Sequence, residues 1–206
     1  MNYVVIEGNI GAGKTTLAKF LSDRLKARLL LENFSENPFL PKFYENPDRY
    51  AFSLEIFFLT ERYHQLQKQL LSPDLFNEWT ISDFAFEKSA IFAAVTLNNY
   101  ENDLFLRIFS TMKPQIPSPT HTIWLQCSIE RLLKSIKERG RPYEKSISAD
   151  YLEKIQEQYN FWLRIPKNLK SFIIIDREKY DFLMFPEHLE VLVSWVKEGK
   201  SGHFST

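Results

Sequence analysis

Short apolar runs alternate with longer stretches of helical periodicity along this chain. Residues 3–6 (YVVI), 28–31 (RLLL), 78–83 (EWTISD), 121–127 (HTIWLQC) and 171–176 (SFIIID) read as strands, each short, apolar and bounded by polar or turn residues. Between them the apolar period lengthens. In residues 14–26, Leu17, Phe20, Leu21 and Leu25 share one helical face. Helical patterns also cover residues 49–71, 84–112 with a break near Asn98–Asn102, 149–165 and 186–197. Ser128 is placed to cap a basic helix running to Arg139, although Arg131 does not complete a capping box. Residues 33–47 hold three prolines and three asparagines, which predicts a loop with a short helix. Residues 113–120 and 140–148 read as loops, and the polar tail 199–206 is expected to fray. Buried strands alternating with helices predict an α/β fold, a parallel sheet with helices on both faces.

Composition narrows the partners. The 206 residues contain no internal repeat, low-complexity run or linker, so one domain spanning 1–206 is expected. Hydrophobic residues make up 44% and charged residues 25%, the balance of a soluble globular protein. Lysine plus arginine equals aspartate plus glutamate, so a nucleic-acid polymer is not an expected partner. The lone cysteine, Cys127, excludes an internal disulfide framework and fits a reducing cytoplasm. No apolar run approaches a signal peptide or the ~20 residues of a membrane span. A core needs some of the eighteen phenylalanines, but aromatics also make walls for flat rings.

The clearest chemistry lies in "IEGNIGAGKTT", residues 6–16. Gly8-x-x-x-x-Gly13-Lys14-Thr15 is the phosphate-loop pattern, here between an expected strand and an expected helix. Glycines let the backbone curl so that its N–H groups and a helix N-terminus point at one anion. Lys14 adds a full charge for the outer phosphates, and Thr15 offers a hydroxyl to Mg²⁺. Residues Gly8, Asn9, Ile10, Gly11, Ala12, Gly13, Lys14, Thr15 and Thr16 are therefore expected to cradle the triphosphate of ATP or GTP.

Two acids follow strands. In a parallel sheet the strand C-terminal ends gather around the loop after the first strand. Glu32, after the second strand, would accept a proton from an attacking hydroxyl or hold Mg²⁺ through water. Asp83, ending the third, would bind or water-bridge Mg²⁺, or cap the following helix. Lys134, Lys137, Arg139 and Arg141 crowd a helix end that Gly140 breaks and Pro142 keeps broken. Such cations suit a lid, approximately 139–147, that closes over phosphate and keeps water out.

With these features in place, the chain resembles the deoxynucleoside kinase family nearly end to end. The resemblance is carried by Glu32, by "NPFLPKFYENPDRYAFSLEIFFLTER" (37–62), by "RGRPYE" (139–144) and by "YLEKI" (151–155). Bacterial deoxyguanosine and deoxyadenosine kinases are similar in texture. The resemblance implies a P-loop kinase-type three-layer fold, a five-stranded parallel sheet flanked by helices with a short basic lid. It implies a cytoplasmic homodimer, joined through helices 49–71 and 84–112, that uses Mg²⁺-ATP to phosphorylate a deoxynucleoside for salvage. Glu32 would be the general base on the substrate 5′-hydroxyl, with Lys14 and Arg139 assisting the transferred group. Thr15, with Glu32 and Asp83, would face Mg²⁺. Tyr44 and Glu144 would hydrogen-bond the sugar 3′-hydroxyl. Glu55 and Arg62 would face the base, Arg139 and Arg141 the phosphates, and Asp176 the adenine of ATP. One departure stands out: many members carry acid-Arg-Ser after the third strand, and here "SDFAFEKS" (82–89) keeps Asp83 but puts Phe84 where the arginine would be. Lys88 is the candidate substitute, near base or phosphate.

Glu55 and Arg62 are seven apart, two helical turns, and share a face. Apolar neighbours at 54 and 56–59 bury Glu55 and so demand partners for it. An ionised carboxylate only accepts hydrogen bonds. Guanine offers N1–H and N2–H side by side, with O6 as an acceptor for Arg62 or Lys88; adenine sets one amino donor beside the acceptor N1. Deoxyguanosine is therefore expected first and deoxyadenosine second, and a protonated Glu55 would reverse that order. Two rivals stay open. One is a nucleoside monophosphate kinase, which Lys42, Arg49 and Arg62 would serve. The other is a non-catalytic nucleotide-binding regulatory subunit, against which Glu32, Asp83 and Lys14 argue.

Overall fold

The structure, a computed structural model, describes residues 2–33, 37–72, 76–165, 172–182 and 184–206. Among these described residues, six strands form one sheet in the order β2-β3-β1-β4-β5-β6, and every pairing is parallel. They are β1 (Asn2–Gly8), β2 (Arg28–Leu30), β3 (Trp79–Ser82), β4 (His121–Gln126), β5 (Phe172–Asp176) and β6 (Gly202–His203). The helices are α1 (Lys14–Leu25), α2 (Leu40–Glu45), α3 (Pro47–Leu70), α4 (Lys88–Thr96), α5 (Asn99–Met112), α6 (Ile129–Arg139), α7 (Ala149–Leu163) and α8 (Pro186–Lys197).

Side-chain alternation along the strands divides the core. Val4 and Ile6 of β1 join Ile81, Ile123 and Ile173 on one face, packed on Leu17 and Leu21 of α1 and Leu192 and Val196 of α8. Tyr3 and Val5 point the other way, into Leu54, Leu59 and Leu66 of α3 with Phe84, Phe86 and Phe105. A sheet buried on both faces needs continuous apolar runs, which is why the strand signal in the sequence was strong. Phe84 is fully buried in this second layer. The residue in the arginine's place therefore serves the core.

Local chemistry sets the helix ends. Asn98 accepts from the N–H of Glu101, whose carboxylate returns to the N–H of Asn98, a complete capping box at the expected break. Ser128 caps α6 by accepting from the N–H of Arg131, and Gly140, with φ 68°, ends that helix. Residues 142–146 then form a 3₁₀ turn inside the expected lid.

The tail differs from expectation. Gly202 and His203 pair with Ile173 and Ile174, adding a sixth strand to the five expected. Phe204 is the cause: it is buried against Tyr180, Phe182 and Trp195, and one aromatic anchor docks an otherwise polar segment. The first residue of the strand read at 171–176 lies outside the described residues; the strand begins at Phe172.

Candidate active site

The sheet order puts β3 beside β1 and β2 beside β3, so their C-terminal ends bring Gly8, Asp83 and Glu32 to one edge. From Gly8 the chain curls through Gly11 and Gly13, at φ 88° and 91°, the left-handed region that other residues resist. A Cβ on Gly11 would lie 2.8 Å from the Leu132 carbonyl oxygen, so space also requires glycine there. Lys14 Nζ folds over the loop and donates to the carbonyls of Gly8 (2.7 Å) and Asn9 (2.9 Å). Burial, and next the neighbouring ammonium of Lys88, lower the Lys14 pKa to about 8. A polyanion at the cradle would raise it again.

A chain of hydrogen bonds leads from this cradle to the acid after β2. Thr15 Oγ1 donates to Asp83 Oδ2 at 2.5 Å, and Asp83 Oδ1 accepts from the N–H of Glu32 at 2.8 Å. The side chain of Glu32 then turns into the cavity between two cations. Arg62 reaches Oε1 with both Nε and Nη2 at 2.7 Å, and Lys88 reaches Oε2 at 2.5 Å. Burial alone would push this carboxyl up; Lys88 and then Arg62 reverse that and hold it at about 2. Arg62 is itself fixed, donating to Ser89 Oγ at 2.9 Å with its guanidinium 4.8 Å from the Phe58 ring centre.

Glu55 has the opposite surroundings. It is 1% exposed, one oxygen accepts from Thr96 Oγ1 at 3.0 Å, and Oε2 has no hydrogen-bond partner among the described residues. Burial raises its pKa to about 7, against a smaller opposing pull from Arg62.

The lid folds onto itself. Arg139 grips Glu144 with Nη2 2.7 Å from each carboxylate oxygen, Arg141 adds a bond of 3.2 Å, and Glu144 is buried. Tyr143 of the same turn stacks on Tyr44 of α2 at 6.1 Å. A cavity of about 830 Å³ unites the cradle, Glu32, Glu55 and the lid; Arg131, Arg177, Asp181 and Phe182 line it too. Its chemistry is bipartite, a cationic anion site joined through one acid to an aromatic-walled chamber.

The sequence pattern of deoxynucleoside kinases matches residues 4–199. A deoxyguanosine kinase of Bacillus subtilis is 34% identical over 95% of this chain and 96% of its own length. A deoxyadenosine/deoxycytidine kinase of the same organism is 30% identical over 94% of this chain and 90% of its own. The chain belongs to the deoxynucleoside kinase family. Among solved structures, deoxyadenosine kinase from M. mycoides superposes with a TM-score of 0.83 when bound to dCMP and dCDP and 0.81 when bound to dATP. At 22% identity, covering 95–96% of this chain and 99–100% of those, it shares the fold.

In this kinase Ile10, Gly11, Ala12, Gly13, Lys14, Thr15 and Thr16 line the cavity, as do Glu32, Tyr44, Glu55, Arg62, Asp83, Lys88, Arg139, Arg141 and Glu144. Gly8 and Asn9 sit behind the loop: Asn9 is buried and ties it to α7 by donating to the Leu152 carbonyl at 2.8 Å. Asp176 is not brought to the cavity wall. Its Oδ1 accepts from the N–H of Glu178 two residues on, and Oδ2 pairs with Lys179, so the carboxylate closes its own turn while Arg177 takes the inward position. Lys42 and Arg49 lie over the Tyr50 ring.

Sequence reasoning missed Glu7. It is fully buried and accepts from Ala85 N (2.6 Å), Tyr159 OH (2.8 Å) and Gly8 N (3.2 Å), joining the phosphate loop, the turn after β3 and α7. A charged residue at the end of an otherwise apolar strand was the available signal.

Proposed function

We propose that the kinase transfers the γ-phosphoryl group of Mg²⁺-ATP to the 5′-hydroxyl of a purine deoxynucleoside, deoxyguanosine before deoxyadenosine. The product is the 5′-monophosphate. Family membership carries the phosphotransfer. The Thr15–Asp83–Glu32 chain carries the roles, because it fixes the acid one residue away from the phosphate cradle.

Mg²⁺ usually takes one or two protein oxygens and fills its octahedron from phosphates and water. Thr15 and Asp83 match so small a donor set, and among the described residues no group of three or more His, Cys, Asp or Glu could hold a metal. When bound, the ion neutralises charge on the transferring phosphates. Glu32 has both oxygens on cations, so it would face the ion through water, as a second-rank partner to Thr15 and Asp83.

Glu32 is the base, and Arg62 sets its orientation through two bonds. Lys88 holds it through one, so the incoming hydroxyl displaces Lys88 from Oε2. Losing that cation makes Glu32 a stronger base at the moment a proton is offered, and frees the ammonium for the phosphoryl oxygens. Lys88 thus takes up the work of the missing arginine. Lys14 and the loop amides hold the triphosphate. Arg139 and Arg141 leave Glu144 for phosphate, and Glu144 with Tyr44 then meets the 3′-hydroxyl. Glu55 reads the base from the far end of the cavity.

A monophosphate acceptor would need free cations at the Glu32 end, where Arg62 and Lys88 are neutralised. Tyr100 and Leu104, 90% and 49% exposed and one turn apart on α5, support a homodimer through that face. No helix among the described residues is long and apolar enough to cross a membrane, and we place the enzyme in the cytoplasm. The test is chromatographic: protein, Mg²⁺-ATP and single deoxynucleosides are incubated and assayed for monophosphate. No 5′-monophosphate from either purine deoxynucleoside would sink the reading.

A further inference from the structure

The geometry at Glu55 points to one carboxyl serving two bases, and this rests on the reading above that Glu55 faces the base. Glu55 Oε1 lies 3.0 Å from Thr96 Oγ1, which lies 3.0 Å from the Phe92 carbonyl oxygen. A hydroxyl has one proton and two lone pairs. With Glu55 ionised, Thr96 donates to it. With the proton on Oε2, Oε1 still accepts from Thr96 and keeps a second lone pair for a ligand. The wall therefore accommodates both forms without rearrangement. The other oxygen, Oε2, is buried without a partner, although buried polar atoms are rarely left so. Oε2 is also closed to water, so a base would meet it as the carboxyl turns about its last side-chain bond.

We propose that Glu55 accepts both purines by changing its own protonation state. Ionised, it takes the N1–H and N2–H donors of guanine. Protonated, it donates from Oε2 to adenine N1 and accepts from the adenine amino group at Oε1. The preference for deoxyguanosine over deoxyadenosine therefore rises with pH, and each base fixes the proton it needs.

The surroundings permit both states. Arg62 of α3 exerts the largest cationic pull on Glu55, but its guanidinium is engaged by Glu32 and Ser89. Lys88 of α4 also pulls towards ionisation and Glu32 opposes it. Tyr44 of α2 and Tyr151 of α7 are also coupled to it, both phenols raised by burial and so neutral. From α5 only the apolar Phe105 is buried against this layer. Thus no neighbour locks one form, and burial places the exchange near neutrality.

The test is kcat/KM for deoxyguanosine and for deoxyadenosine, measured with wild type and Glu55→Gln from about pH 6 to about pH 8.5. We expect the wild-type ratio to rise by about tenfold or more, since one proton separates the two complexes, and the ratio in Glu55→Gln to stay flat. Groups that titrate for both substrates cancel in the ratio. A flat wild-type ratio, or an equal slope in Glu55→Gln, overturns the proposal. A second measurement does not depend on the variant or on turnover. Calorimetric binding of each nucleoside to wild type, in buffers of different ionisation enthalpy, counts protons. Deoxyadenosine should take up a proton near pH 8 and deoxyguanosine should release one near pH 6; neither doing so overturns the idea. Proton linkage without any monophosphate would instead leave base reading standing and remove the kinase reaction.

Discussion

Glu32 and Glu55 line one cavity, both largely out of water, yet their carboxyls move in opposite directions, to about 2 and about 7. Burial pushes both up. What differs is the company: Arg62 and Lys88 touch Glu32, while among the described residues the one hydrogen bond to Glu55 comes from a neutral hydroxyl. Burial alone does not define a catalytic acid or base; the contacts made within that burial do. At the phosphate end, two cations in contact make an acid that stays charged, and in the proposed mechanism displacement of one releases it. At the proposed base end, the lack of a cation in direct contact leaves an acid that can take either form.

The largest expected effect breaks the first half of that contrast. Glu32→Gln should keep ATP binding, measured calorimetrically, and lower kcat by roughly 10²–10⁴-fold. Unchanged turnover would remove Glu32 from the chemistry. Lys88→Met should cost roughly 10²-fold in kcat. It should also alter the acid limb of kcat/KM in a set direction. A depressed carboxyl stays ionised as pH falls until its low pKa is reached. Without Lys88 that pKa climbs towards the ordinary value, so activity fails at higher pH than in wild type.

The base end gives a thermodynamic counterpart. The folded pKa of Glu55 lies above its unfolded value, so its contribution to stability is complete below about pH 4.5 and is lost as pH rises through about 7. Relative to Glu55→Gln, wild type should lose on the order of 2–3 kcal/mol between those limits, read by denaturant melts across pH. Parallel pH profiles would mean that the carboxyl ionises freely in the fold. The smallest effect is at Thr96→Val, which removes the donor to the ionised form, a bond worth about 1 kcal/mol. The deoxyguanosine-to-deoxyadenosine ratio at neutral pH should then fall by several-fold.

Much of the cradle was legible in the primary structure because it is local. Gly11, Gly13, Lys14 and Thr15 act through the backbone of one turn, and their spacing alone specifies that turn. The acids were legible in part. That Glu32 and Asp83 end strands follows from pattern, and a parallel sheet then brings strand ends together. Which cation each acid would meet was not legible, because Arg62 and Lys88 arrive from α3 and α4, 30 and 56 residues along the chain. The place of Asp176, off the cavity wall, was not legible for a related reason. A strand-end acid reads alike whether it faces a ligand or closes its own turn, and only the course of the following backbone separates the two.

By itself, the order of residues determined the alternation of strands and helices, the phosphate loop and the family. These depend on short-range periodicity and on backbone conformations that few residues adopt. Folding decided which acid carries a fixed charge and which can exchange its proton, that Glu7 knots three elements beneath the loop, and that Phe204 docks the tail as a sixth strand. Each of those outcomes turns on dielectric and contact, which arise only when segments far apart in the chain exclude water together.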